Sequence, residues 1–140
     1  MKTFSVAALI HATPEKIWAL LTDAGAYPGW NPAVTKVEGK IALGETIMVH
    51  VKVNPGRAFP AKVTEFQPGS AMTWSGGMPL GFFKGVRTFR LTPKGSGTVE
   101  FAMKEEFSGL LSPLIERSIP DLQPSFEEFA AGLKKRAEAE

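Results

Sequence analysis

Between Val34 and Phe107 one pattern recurs six times: a short stretch in which apolar and polar residues alternate, ended by a glycine or proline turn signal. Alternation with period two lets a strand bury only one face. Such a segment therefore builds an antiparallel sheet with an inside and an outside, and not βαβ units. The expected strands are residues 34–39, 45–53, 58–66, 71–75, 82–92 and 98–107. The expected connections are 42–44, 54–56, 67–69, the glycine-rich 76–81 and 93–97, most of them hairpin loops.

The flanks complete the fold class. Phe4, Val6, Ala8 and Ile10 alternate with Thr3, Ser5 and Ala7, which predicts a further strand at the start. Thr13, Pro14 and Glu15 then supply a cap, a first-turn proline and an acid at the positive end of a helix dipole. Ile17, Leu20 and Leu21, widened by Trp18, form its apolar stripe, and Asp23-Ala24-Gly25 ends it. In Tyr27-Pro28-Gly29-Trp30-Asn31-Pro32 two prolines forbid a long helix and two aromatics require burial. After Gly109 the period changes to helical: Ile115, Ile119, Leu122, Phe126, Phe129 and Leu133 share one face, while Glu127, Glu128, Lys134, Lys135, Arg136 and Glu138 meet water. Pro120 and Pro124 do not fit a straight helix interior, so a kink or a break into two pieces is expected near Ser118 to Pro124. The expected fold is α+β, a curved seven-stranded antiparallel sheet around a long C-terminal helix, with short helices between the first and second strands. The whole chain, residues 1–140, reads as a single domain.

Composition narrows the function classes. With no cysteine the chain has neither disulfides nor cysteine-ligated zinc. A net charge of +2, scattered along the sequence, is no phosphate-binding footprint, so nucleic acid is not the expected partner. No apolar run approaches the roughly 20 residues of a membrane span, and Met1 to Ile10 alternates unlike a signal peptide. The expected location is the cytoplasm, without integral membrane association.

The sheet faces locate the candidate site. Val99, Phe101, Met103, Glu105 and Phe107 share the inner face of the last strand, and Phe83, Gly85, Arg87, Phe89 and Leu91 that of its neighbour. Two charges thus fall on the concave side. If the 93–97 loop pairs Thr92 with Thr98, Arg87 lies opposite Met103 and Gly85 opposite Glu105, leaving Arg87 and Glu105 diagonal neighbours about 7 Å apart. Burying either alone is costly, so they are expected to pair or to meet a ligand or water. Trp74, Phe82, Phe83, Phe89, Phe101, Phe107, Phe126 and Phe129 fall on the sheet or the last helix. Gly76, Gly77, Gly81 and Gly85 remove volume at one end, which favours a cavity with a mobile opening there.

Three stretches carry a resemblance. Ala12-Thr13-Pro14-Glu15-Lys16-Ile17-Trp18, Tyr27-Pro28-Gly29-Trp30-Asn31-Pro32 with Gly44 heading the next strand, and Glu105-Glu106-Phe107-Ser108-Gly109 resemble the signatures of the START-related SRPBCC superfamily, in its polyketide cyclase/dehydrase-like branch. The resemblance covers nearly the whole chain and implies the helix-grip fold with a hydrophobic ligand cavity between sheet and C-terminal helix. It departs from the family at Pro120 and Pro124, since the family's last helix is usually longer and less interrupted. Trp30, Asn31 and Pro32 are expected to fix the helix-to-sheet junction. Fold alone does not choose among the binders, carriers and enzymes that share it.

Catalytic motifs are missing: no Gly-x-Ser-x-Gly elbow, P-loop, dinucleotide fingerprint or His-Glu-x-x-His occurs. His11 and His50 read as boundary and outer-face residues, and no metal or cofactor is expected. The expected function is binding of a small hydrophobic or amphipathic molecule of lipid, polyketide or aromatic type. Its expected lining is Trp74, Phe83, Phe89, Phe101, Met103, Phe107, Ile115, Ile119 and Phe126, with Arg87 and Glu105 as polar contacts. A cyclase or aromatase reading would use Glu105 as base and Arg87 to hold an enolate, with Tyr27 and Glu65 as further polar candidates. A third reading is a protein-interaction module with a filled core. Neither the ligand's identity nor the oligomeric state is written in the sequence.

Overall fold

The computed structural model describes residues 2–52, 56, 58–78, 83–115 and 121–139. Strand β1 (Lys2–Ile10) leads into α1 (Pro14–Thr22). Thr13 caps that helix from an extended conformation, its Oγ1 accepting the Lys16 backbone N–H at 3.1 Å. Ile17, Trp18 and Leu21 are buried, and Trp18 packs on Phe66 at 5.4 Å. A 3-10 turn at Ala24–Ala26 and the one-turn helix α2 (Tyr27–Trp30) carry the chain to the sheet.

The sheet continues with β2 (Val34–Glu38), β3 (Thr46–Val51), β4 (Ala58–Gln67), β5 (Ala71–Met78), β6 (Phe83–Gly95) and β7 (Thr98–Ser108). These six strands form an antiparallel meander, and β1 closes on β7, so the seven-stranded order is β1-β7-β6-β5-β4-β3-β2. After β7 come α3 (Ser112–Ile115) and α4 (Gln123–Glu138), the latter against β1, α1 and α2. Phe126, Phe129, Ala130, Leu133 and Ala137 are its buried stripe. None of the described helices is long and apolar enough to cross a membrane.

The break in the last helix is present: α3 and α4 are separate, residues 121 and 122 are non-helical, and Pro124 sits in the first turn of α4, where a proline costs no hydrogen bond. Pro120 and Ile119 lie outside the described residues.

Two local expectations are corrected. Gly76 and Gly77 belong to β5 and pair with Gly85 and Lys84. A Cβ on Gly76 would stand 2.5 Å from the Pro60 carbonyl oxygen, so glycine there permits close approach of two strands and does not form a loop. The β6–β7 loop is also shorter than expected. Ser96 and Gly97 form it with φ of 54° and 74°, the positive values that a type I′ hairpin demands at both central positions. With a register irregularity between Pro93 and Gly95, Thr92 pairs with Glu100 and not with Thr98.

Candidate functional site

The corrected register decides the site. Val63, Trp74, Arg87, Glu105 and Phe4 stand in one row across β4, β5, β6, β7 and β1. Arg87 is therefore directly opposite Glu105, not diagonal to it, and Gly85 faces Phe107. The Arg87 Nε donates to Glu105 Oε1 at 2.6 Å, a short charge-assisted bond. It uses one nitrogen and one carboxylate oxygen, so the guanidinium fork and the carboxylate keep capacity for a bound molecule. The side chains are 21% and 15% exposed.

An aromatic wall encloses this pair. The Phe126 ring, from α4, lies 4.8 Å from the Arg87 guanidinium carbon, within cation–π range. Phe4 is 6.0 Å from Phe126 and 6.3 Å from Phe107, and the half-buried Phe83 stacks on Phe107 at 5.7 Å. Gly85 makes the arrangement possible: a Cβ there would stand 3.1 Å from the Phe107 ring and 3.2 Å from Glu105 Oε2.

Deeper in the fold the concave side is closely packed. Phe101 stacks on Phe129 at 5.9 Å, Trp74 lies 4.6 Å from Phe89, and Trp30 meets Phe129 edge-on at 5.1 Å. Phe89 and Met103 pair in the next inward row along β6 and β7, Phe101 pairs with Leu91 in the row after it, and all three are essentially inaccessible. Of the expected lining residues, Trp74, Phe107 and Phe126 are buried, Phe83 and Ile115 are half-buried, and Ile119 is outside the described residues. Phe82 is also outside them. Phe4 and Gly85 join the site through register. Alternation placed Phe4 on one face of β1 with Val6, Ala8 and Ile10, but only its pairing with Glu105 brings it to the ion pair.

The other polar candidates separate from this row. Tyr27 is buried, its hydroxyl donating to the Leu21 carbonyl at 2.6 Å, and burial pushes its phenol far above the ordinary value against a smaller opposing pull from Arg87. It stays neutral and structural. Glu65 is exposed beyond a register irregularity between Val63 and Glu65, where it accepts from Thr73 Oγ1 at 3.3 Å, so it does not point into the concave side. His50 bonds Glu38 at 2.7 Å, and His11 is exposed at the end of β1. No cluster of metal-ligating side chains occurs among the described residues. Trp30 and Asn31 hold the junction: Asn31 Oδ1 accepts the Ala33 N–H at 3.0 Å, and α4 approaches so closely that a Cβ on Gly132 would collide with the Trp30 carbonyl oxygen.

Comparison with known proteins agrees with this architecture. A hypothetical protein from Helicobacter pylori superposes with a TM-score of 0.78 at 14% identity, covering 97% of this chain and 88% of its own. A START superfamily protein from Mycobacterium smegmatis gives 0.73 at 19% identity and 97% of both chains. The Zhui aromatase/cyclase from Streptomyces sp. R1128 gives 0.73 at 13% identity, covering 98% of this chain and 93% of its own. These likenesses establish the helix-grip fold. No curated protein matches the sequence. The family model described as polyketide cyclase / dehydrase and lipid transport matches residues 1–138. This chain belongs to that family.

Proposed function

We propose that the protein binds a small hydrophobic or amphipathic molecule, of lipid, polyketide or aromatic type, between the sheet and the C-terminal helices. Its apolar body lies against Phe83, Phe107 and Phe126, its polar group meets Arg87 and Glu105, and Trp74, Phe89, Phe101 and Met103 form the floor. Ile115 adds to the wall on the helical side. The observation that carries this reading is the Arg87–Glu105 pair itself. It faces inward on an apolar side yet remains 21% and 15% exposed, so a bound molecule can reach it.

Native mass spectrometry of the purified protein, followed by denaturing extraction, tests the reading. A retained apolar molecule, or displacement of an apolar fluorescent probe by fatty acids or polycyclic phenols, is the expected result. A clean protein mass together with no probe binding at micromolar concentration overturns it in favour of an interaction module with a filled core.

A second reading has the same pair act chemically, and the likeness to an aromatase/cyclase fold favours keeping it. Glu105 would remove a proton beside a ketone of the bound molecule, and Arg87 would stabilise the enolate oxygen. Turnover of a poly-ketone that is lost in Glu105→Gln while binding persists would select this reading.

A further inference from the structure

Trp74 stands on β5 directly opposite Arg87, in the row that also holds Glu105. Side chains paired this way have Cβ atoms about 4.5–5.5 Å apart. Trp74 is 4% exposed, and its indole Nε1–H is buried with no hydrogen-bond partner among the described residues. A donor in that state has given up its bond to water and gained none in return, so an acceptor brought beside it is favoured more than one offered to a satisfied donor. The neighbours do not supply that acceptor. Glu105 Oε1 accepts from Arg87 Nε, and Tyr27, whose ring lies 6.2 Å from that of Trp74, donates its hydroxyl to the Leu21 carbonyl.

Donors are thus in excess along this row. Arg87 uses Nε on Glu105, which leaves the N–H groups of both Nη atoms beside the unpartnered indole, against one remaining carboxylate oxygen. Charge, by contrast, is balanced, because the arginine and the glutamate cancel. A ligand carboxylate would set a second anion beside Glu105, and a ligand ammonium would face donors. Either leaves a net charge on a mostly buried apolar side.

We propose that Trp74 is a specificity-determining residue of the ligand site: its Nε1–H, together with the Arg87 Nη groups, takes an uncharged acceptor oxygen of the bound molecule, a ketone or ester carbonyl. The inference rests on the ligand reading above and narrows it to molecules that carry such a carbonyl at the end reaching the ion pair. Trp30 provides a matched control. Its Nε1–H is also buried without a partner among the described residues, but its ring packs on Tyr27 and Phe129 at the α2–α4 junction, outside the row.

Three naphthalenes of nearly one shape test the proposal on the whole protein by displacement of Nile red. They are 2-acetylnaphthalene, which carries the carbonyl, 2-ethylnaphthalene, which lacks the oxygen, and 2-naphthoate, which carries a charge. The ratio of ketone to hydrocarbon affinity is expected to fall about tenfold in Trp74→Phe and to keep its wild-type value in Trp30→Phe. Any general loosening of the packing affects both neutral probes alike and leaves the ratio unmoved. The carboxylate is expected to bind more weakly than the ketone. A second readout uses isotope-labelled wild type, so that the test survives a Trp74→Phe variant that does not fold. Its Trp74 indole proton, one of three in the chain, is assigned by elimination through Trp18→Phe and Trp30→Phe. It moves downfield with the ketone and not with the hydrocarbon. An unchanged ratio in Trp74→Phe, an equal fall in Trp30→Phe, tighter binding of 2-naphthoate, or an indole proton that answers both neutral probes alike overturns the inference while leaving the ligand reading in place. Binding of neither neutral naphthalene, with no Nile red signal, overturns both together.

Discussion

Arg87 and Glu105 face each other across β6 and β7, Nε to Oε1 at 2.6 Å, with the Phe126 ring of α4 packed 4.8 Å from the guanidinium carbon. One contact ties two strands, and the other ties the pair to the helix that covers them. Removing one partner strands a mostly buried charge. Glu105→Ala is expected to destabilise the protein by about 1–3 kcal/mol, less than for a fully buried pair because water still reaches both groups. The paired replacement R87M/E105L recovers most of that loss. Urea unfolding measures both, and a double variant no more stable than Glu105→Ala would refute the pairing argument.

Gly132 lets α4 approach α2 until its backbone meets the Trp30 carbonyl. Alanine elsewhere in a helix gains about 1 kcal/mol over glycine. Here its Cβ has no room, so Gly132→Ala is expected to lose about 1–3 kcal/mol. Gly29→Ala, in α2 with nothing within 4 Å of the added carbon, serves as the control and is expected to gain up to about 1 kcal/mol. Equal melting temperatures for the two variants would contradict this account.

The cap on α1 is a single hydrogen bond from the Lys16 backbone to Thr13 Oγ1. Thr13→Ala should cost about 1 kcal/mol, and Thr13→Ser should retain most of the stability. Chemical denaturation of the three proteins side by side checks the order.

Acid sensitivity is expected at the end of α4. The Glu138 carboxylate accepts the His11 backbone N–H at 2.9 Å and the Lys134 ammonium at 2.7 Å, and these hold its pKa below the ordinary 4.5, the backbone bond contributing most. A lowered folded-state pKa means that the unfolded chain takes up the proton first as pH falls. The contribution is fully present above about pH 4.5 and is lost as pH drops through the lower folded value. The stability difference between wild type and Glu138→Gln should therefore be constant from pH 7 to about 5 and shrink below 4.5. Urea midpoints across that range test it, and a gap that widens on acidification would reverse the assigned sign.

Strand identity and facing were legible in the sequence because period two is a local property. Phe101, Met103 and Phe107 had to share a face with Glu105, and Phe83, Phe89 and Leu91 with Arg87, whatever their partners. The helical segments were legible for a related reason: Thr13-Pro14 and the spacing of Phe126, Phe129 and Leu133 state a start and a stripe without reference to the rest of the chain. The break ahead of α4 followed from Pro124, which a first turn accepts and a helix interior does not.

Register was not legible, and register makes the site. Sliding β6 by two residues against β7 keeps every side chain on its own face, so alternation alone cannot tell Arg87 opposite Met103 from Arg87 opposite Glu105. The choice lies in Ser96 and Gly97 adopting positive φ and in the irregularity at Pro93–Gly95, which set where the hairpin begins to pair. From the sequence came an inward arginine and an inward carboxylate; the tertiary structure decided that they touch and that Phe4 and Phe126 enclose them. A face is determined within one strand, whereas a contact is determined by turn geometry and by packing between segments far apart in the chain.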